Sequence, residues 1–179
     1  PPPAIASRVL FERAWNFDAA EGAANFKVIG GSWKYLPQGG VDGSGCMESA
    51  DGADAVIELD LKEFDADSPL HITFEWQMMT RFRSYRADVR WQKYGEGASI
   101  RADGADYNQK NSIWISNHIF ITPEFSSTYL DKQLVHIAIA PRKTGSPLQL
   151  DLHGGVVRID NFRISEIRRK EIPDVKEYL

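Results

Sequence analysis

Carboxylates, imidazoles and one thiol are the groups in this chain that could carry chemistry, and their spacing along the sequence pairs none of them. Glycosidases need two carboxylates about 5 to 9.5 Å apart on one face. The nearest approach is Glu58-Leu59-Asp60, which an exposed strand face explains better. Glu75 shares a strand face with His71, Thr73 and Gln77 and has no acidic partner on that strand, so it is the first carboxylate to locate in the fold. The four histidines, His71, His118, His136 and His153, show neither HxH nor HxxxH spacing, so the sequence does not indicate zinc. Cys46, the only cysteine, lies in Gly-Ser-Gly-Cys-Met-Glu with no base beside it. It reads as a small buried hydrophobe at a strand start, not as a nucleophile. No Gly-x-Ser-x-Gly elbow and no phosphate loop occurs.

Residues suited to binding are better represented. A sugar is held by an aromatic plate under the apolar side of its ring and by fixed polar groups at its hydroxyls. Trp114, Ser116, His118 and Phe120 fall on one side of a strand pattern; Asp88, Arg90, Gln92 and Tyr94 fall on one side of another; Trp33 and Tyr35 make a third row. Tyr107 lies in a polar loop and suits a contact at the loop tip. The candidate ligand-binding residues are therefore Trp114, His118, Arg90, Tyr94, Asp88 and Tyr107. The alternative for Trp114 and Phe120 is a place in the core. Arg81, Arg83, Arg86 and Arg90 form a cluster whose guanidinium forks suit carboxylate or sulfate, which suggests an acidic glycan. The plainer reading of that cluster is a solvated face balancing the chain's acids.

Such side chains need strands to position them, and strand signals dominate. In Leu70 to Met78 the apolar Leu70, Ile72, Phe74, Trp76 and Met78 alternate with polar residues, which predicts a strand with one buried and one wet face. Asn111 to Ile121, Tyr85 to Tyr94 and Leu134 to Ala140 follow the same period; the last places Val135, Ile137 and Ile139 on its buried side. Shorter strands are expected at Ala14–Phe17, Phe26–Ile29, Ser32–Leu36, Ala55–Leu61, Leu148–Leu152 and Val156–Ser165. Gly30-Gly31, Asp42-Gly43, Asp51-Gly52, Asp103-Gly104 and Gly154-Gly155 punctuate them as turns. Helical periodicity is limited to a turn near Asp131 and a short tail from Pro173. Roughly ten strands cannot lie in one flat sheet with a core, so the expected fold is all-β, a two-sheet antiparallel sandwich.

At 179 residues the chain suits one domain, with residues 1–6 read as a linker remnant, 7–170 as the sandwich and 171–179 as a tail. A single cysteine excludes a disulfide scaffold. A net charge of −4 argues against nucleic-acid binding, which calls for a basic surplus. No run of about 18 apolar residues offers a membrane span.

Two segments carry a family resemblance. The first is Trp15-Asn16-Phe17-Asp18 followed by Gly31-Ser32-Trp33 and Gly40-Val41-Asp42-Gly43-Ser44-Gly45; the second is Ile159-Asp160-Asn161-Phe162-Arg163-Ile164. Together they resemble the opening and closing strands of jelly-roll carbohydrate-binding modules and of laminin-G or concanavalin-like lectin domains. The resemblance implies a jelly roll, with a galactose-binding-like sandwich as second choice. It also implies a structural calcium held by Asp18 and Asp160, although Asn161 stands where the family often has a second acid. The function it implies is a non-catalytic glycan-binding domain of a larger exported protein, bacterial in style, placed outside the cell, on its surface or in the periplasm. The alternatives are a structural or protein-interaction sandwich of a surface or envelope-sensor protein, and a divergent glycoside hydrolase of the same fold.

Overall fold

The computed structural model describes residues 10–50, 55–79, 86–91, 97–101, 113–139, 146–152 and 155–175, leaving aside the side chains of 86–88 and 97–101. The larger sheet runs in the order β11 (Gln133–Ala138), β10 (Ser126–Leu130), β9 (Trp114–Ile121), β6 (Leu70–Met78), β13 (Val157–Glu166), β4 (Cys46–Ser49) and β3 (Trp33–Leu36), with β1 (Glu12–Trp15) also on β13. The smaller sheet runs β2 (Lys27–Gly30), β5 (Ala55–Leu59), β12 (Leu148–Leu152), β7 (Arg86–Arg90) and β8 (Gly97–Arg101). Neighbours in both sheets are antiparallel. A one-turn helix, α1 (Ala20–Ala23), links β1 to β2.

The period-two reading of β6 holds over its whole length: every odd residue of the strand as counted from Leu70 is buried and every other one half-buried. Trp76 and Trp91 are fully buried, as the alternation predicts. Removing a side chain of that size from water stabilises the fold by roughly 2–3 kcal/mol. On β9 the isoleucine side faces the core and carries Asn117 with it. The core alternative for Trp114 and Phe120 is therefore overturned: both are half-buried on the opposite side.

β13 contains the irregularity that matters most for the site. Asp160 pairs with Glu75 and Arg163 with Thr73, so an extra residue sits in β13 opposite Phe74. Asn161 takes a positive φ of 49°, bulges outward, and is exposed. The bulge lets both Ile159 and Phe162 reach the core although they are three residues apart, which strict alternation forbids. It also divides one edge of β13 between two partners: β4 pairs with Arg158 and Ile159, and β1 with Phe162 to Ser165.

Several expectations are corrected. β8 and β10 are strands beyond those expected; β8 has a short Ala98/Ile100 alternation, and Ser126, Ser127 and Thr128 of β10 are buried polar residues. The turn near Asp131 is a two-residue hairpin turn, with Asp131 at φ 52°, joining β10 to β11. Ile139 is 77% exposed, while Ala138 packs on the core, because a register shift at Thr128/Tyr129 breaks the expected parity of β11. Trp33 is a core residue and Tyr35 packs partly against the core, so that row is not wet. Val175, inside the expected tail, is buried.

Candidate functional site

The outer face of the larger sheet holds a groove of about 410 Å³, built where β6, β9 and β13 lie side by side. Register places the lining side chains in rows across the strands. His118, Thr73 and Arg163 form one row; His71 and Ser165 form the next, with Phe120 beside His71 but outside the lining; Ser116 and Glu75 face the bulge at Asp160 and Asn161. The groove is thus lined by hydroxyls, two imidazoles, a carboxylate, an amide and a guanidinium.

Rings gather at one end. His71 stacks on Phe120 with centroids 4.2 Å apart and planes 9° off parallel. Its other neighbour is His118, whose Nδ1 lies 3.1 Å from His71 Nε2, so one imidazole donates its N–H to the other's lone pair. Tyr129 meets Phe120 edge to face. Burial, then the neighbouring His118, then Arg163, pushes the His71 pKa down to about 4. Burial also lowers that of His118. Both imidazoles are therefore neutral at pH 7 and can each offer one donor and one acceptor.

This displacement has a thermodynamic consequence. Below pH 6.5 the unfolded chain protonates His71, whereas the folded chain resists until about pH 4. Stability tied to this group is complete above pH 6.5 and falls as the pH drops towards 4. With solvent screening on the open side of the groove, the loss is on the order of 1–2 kcal/mol. His71→Phe keeps a ring on Phe120 and should flatten the slope of stability against pH in urea titrations over this window. An unchanged slope would remove His71 as its cause.

At the other end of the groove the bulge presents Asn161, whose Nδ2 donates to Glu75 Oε2 at 2.5 Å. Asp160, the register partner of Glu75, is fully buried beneath the Gly40–Ser44 turn. It accepts hydrogen bonds from the Val41 N–H (2.9 Å), the Ser44 hydroxyl (2.9 Å) and the Asn161 N–H (2.7 Å). Burial raises its pKa against the pull of those donors, and nearby Glu75 raises it further. Asp160 thus ties the Gly40–Ser44 turn to the strand that forms the groove floor. Asp18 is exposed, and its backbone N–H bonds to Asn16 Oδ1. Among the described residues, no group of three or more His, Cys, Asp or Glu gathers at metal-binding spacing.

No protein-family model matches the chain, and no curated protein matches it by sequence. Solved structures do. The carbohydrate-binding module CBM66 of Bacillus subtilis is similar at a TM-score of 0.54 and 10% identity, over 78% of this chain and 94% of that one. Domain 4 of AbnA, an extracellular arabinanase of Geobacillus stearothermophilus solved with arabinotriose, is similar at 0.54 and 9% identity, over 86% and 90%. A Bacillus subtilis protein of unknown function with a galectin-like fold is similar at 0.52 and 8% identity, over 89% and 100%. The fold is a jelly roll.

The jelly roll brings together some of the residues nominated from sequence and separates others. His118 lines the groove. Trp114 shares its strand face but sits two rows away, opposite Gln77, and does not line the groove. Arg90 and Asp88 lie on β7 of the other sheet. There Arg90 Nη1 donates to Asp151 Oδ2 at 2.7 Å. The Trp114 row and the Arg90 row are therefore on different sheets of the jelly roll. Tyr94, Tyr107, Arg81 and Arg83 fall outside the described residues. Glu75, the carboxylate singled out from the sequence, lines the groove, and so do His71, Thr73, Asn161, Arg163 and Ser165, which are not among the candidate ligand-binding residues. For the β6 trio the signal was present, since all three stand on its wet face.

Proposed function

We propose that this chain is a non-catalytic glycan-binding domain of an exported protein, and that it binds through the outer groove of its larger sheet. The groove itself carries the reading: hydroxyl, amide, imidazole and carboxylate groups converge in a space large enough for a sugar unit, with stacked rings at one end. Glu75 is the carboxylate among the described lining residues, and Asp160 is covered by the Gly40–Ser44 turn with its oxygens bonded to three donors, which favours binding over hydrolysis. The similarity to a carbohydrate-binding module and to an arabinotriose-bound domain agrees with this reading. No helix among the described residues is long and apolar enough to cross a membrane.

Affinity electrophoresis through gels containing single polysaccharides tests the proposal. The protein should be retarded by at least one polymer, and His118→Ala should lose about ten-fold in affinity while melting within a few degrees of the parent. Retention that His118→Ala leaves unchanged would move the site elsewhere. A second reading, a protein-interaction sandwich, rests on β2, an edge strand with exposed Val28 and Ile29. No retention by any polymer would favour it.

A further inference from the structure

The charges around the groove point to the class of glycan. Glu75 reaches it with the Asn161 amide as its partner at 2.5 Å, and no cation is paired with it among the described residues. Arg163, the cationic lining residue, has its Nε 3.3 Å from Glu12 Oε1, so its charge is already offset. Glu171 acts on His71 and Asp131 acts on His118, adding negative potential from beyond the rim. The imidazoles are neutral. Among the described residues, Glu75 and Arg163 are the charged groups lining the groove, and Glu12, Asp131 and Glu171 add negative charge beside it. Of the arginines that suggested an acidic ligand, Arg90 is bonded to Asp151 on the other sheet, and Arg81 and Arg83 lie outside the described residues.

We infer that the groove selects uncharged glycans and rejects uronate-bearing and sulfated ones, with Glu75 as the selecting residue. The inference rests on the groove being the glycan site. A carboxylate with one oxygen bonded to Asn161 still accepts hydrogen bonds from neighbouring sugar hydroxyls. Against a ligand carboxylate or sulfate the same group is a like charge in a partly desolvated cleft, and it acts as a repulsive element. Asn161 is a positioning residue: the bulge puts its amide where it fixes the Glu75 rotamer, so the selecting charge is held in place before a ligand arrives.

Matched polymers of one backbone separate charge from shape. Hydroxyethylcellulose pairs with carboxymethylcellulose, and methyl-esterified with de-esterified homogalacturonan; arabinan and xylan extend the uncharged set. The parent protein should be retained by uncharged polymers and at least about five-fold less by any acidic counterpart at low ionic strength, with the gap shrinking in 0.5 M NaCl. Glu75→Gln preserves the shape and the bond to Asn161 while removing the charge. It should narrow the gap about five-fold or make acidic polymers newly retained. Acidic polymers retained as strongly as uncharged ones would overturn the inference and leave the groove reading standing. So would a gap that Glu75→Gln does not change. If no polymer is retained, the groove reading and the inference fall together.

Discussion

Gly45→Ala should leave little folded protein, with a loss of about 3 kcal/mol or more in urea denaturation. A Cβ built on Gly45 would lie 1.7 Å from the Phe17 carbonyl oxygen and 2.8 Å from its carbon. Both are backbone atoms, so no side chain can swing aside. Phe17 is itself pinned: it is 1% exposed, packs on Phe26, and holds a positive φ of 57° that a bulky residue rarely adopts. The same turn supplies a control. Gly43 also has a positive φ, 78°, but open space where a Cβ would go. Gly43→Ala should therefore cost only about 1 kcal/mol, the backbone contribution alone. Equal losses at the two positions would show that close approach to Phe17 is not what requires Gly45.

Asp160→Ala should cost about 1–3 kcal/mol, because it takes the acceptor from the part-buried N–H groups of Val41 and Asn161, while the Ser44 hydroxyl keeps the Val41 carbonyl. The sign of its pH dependence follows from burial. A raised pKa means that the ionised carboxylate costs the folded state stability at neutral pH. That cost is relieved as the pH falls through the raised pKa, so the gap between parent and variant should widen on acidification. A gap that narrows would contradict the assignment. The variant should also retain glycans less well, since Asp160 anchors the bulge that presents Asn161 to Glu75. Melts of the same two proteins with calcium and with chelator test the cation proposed for Asp18 and Asp160. A rise with calcium that Asp160→Ala abolishes supports it, and superposed curves end it.

Gly40 shows why the loop must be read in three dimensions. Its Cβ would meet the Gly45 carbonyl oxygen at 2.3 Å and Asp160 Oδ2 at 2.6 Å. In the sequence, Gly40 and Gly45 are turn residues and Asp160 is a strand residue far along the chain. Their common cause, a turn pressed onto a buried carboxylate, exists only after β4 and β13 have paired.

By itself the sequence determined the layers. Alternation along Leu70–Met78 named both the strand and its buried face, because side-chain parity is a local property of extended backbone. It separated His118 from the isoleucines for the same reason, and the fold decided that the isoleucine side is the buried one. Strands without apolar alternation were invisible to it: Ser126–Leu130 is held by its two neighbours rather than by its own pattern. Tertiary structure alone decided which wet faces meet. Pairing of β6 with β9 puts His71 beside His118, 47 residues away, and the sheet order sends Arg90 to the opposite layer. One inserted residue at Asn161 then aimed an amide at Glu75, and the Gly40–Ser44 turn folded over Asp160 and buried it. Strand order and bulges are set by energies summed over many distant contacts, and no local window of sequence contains them.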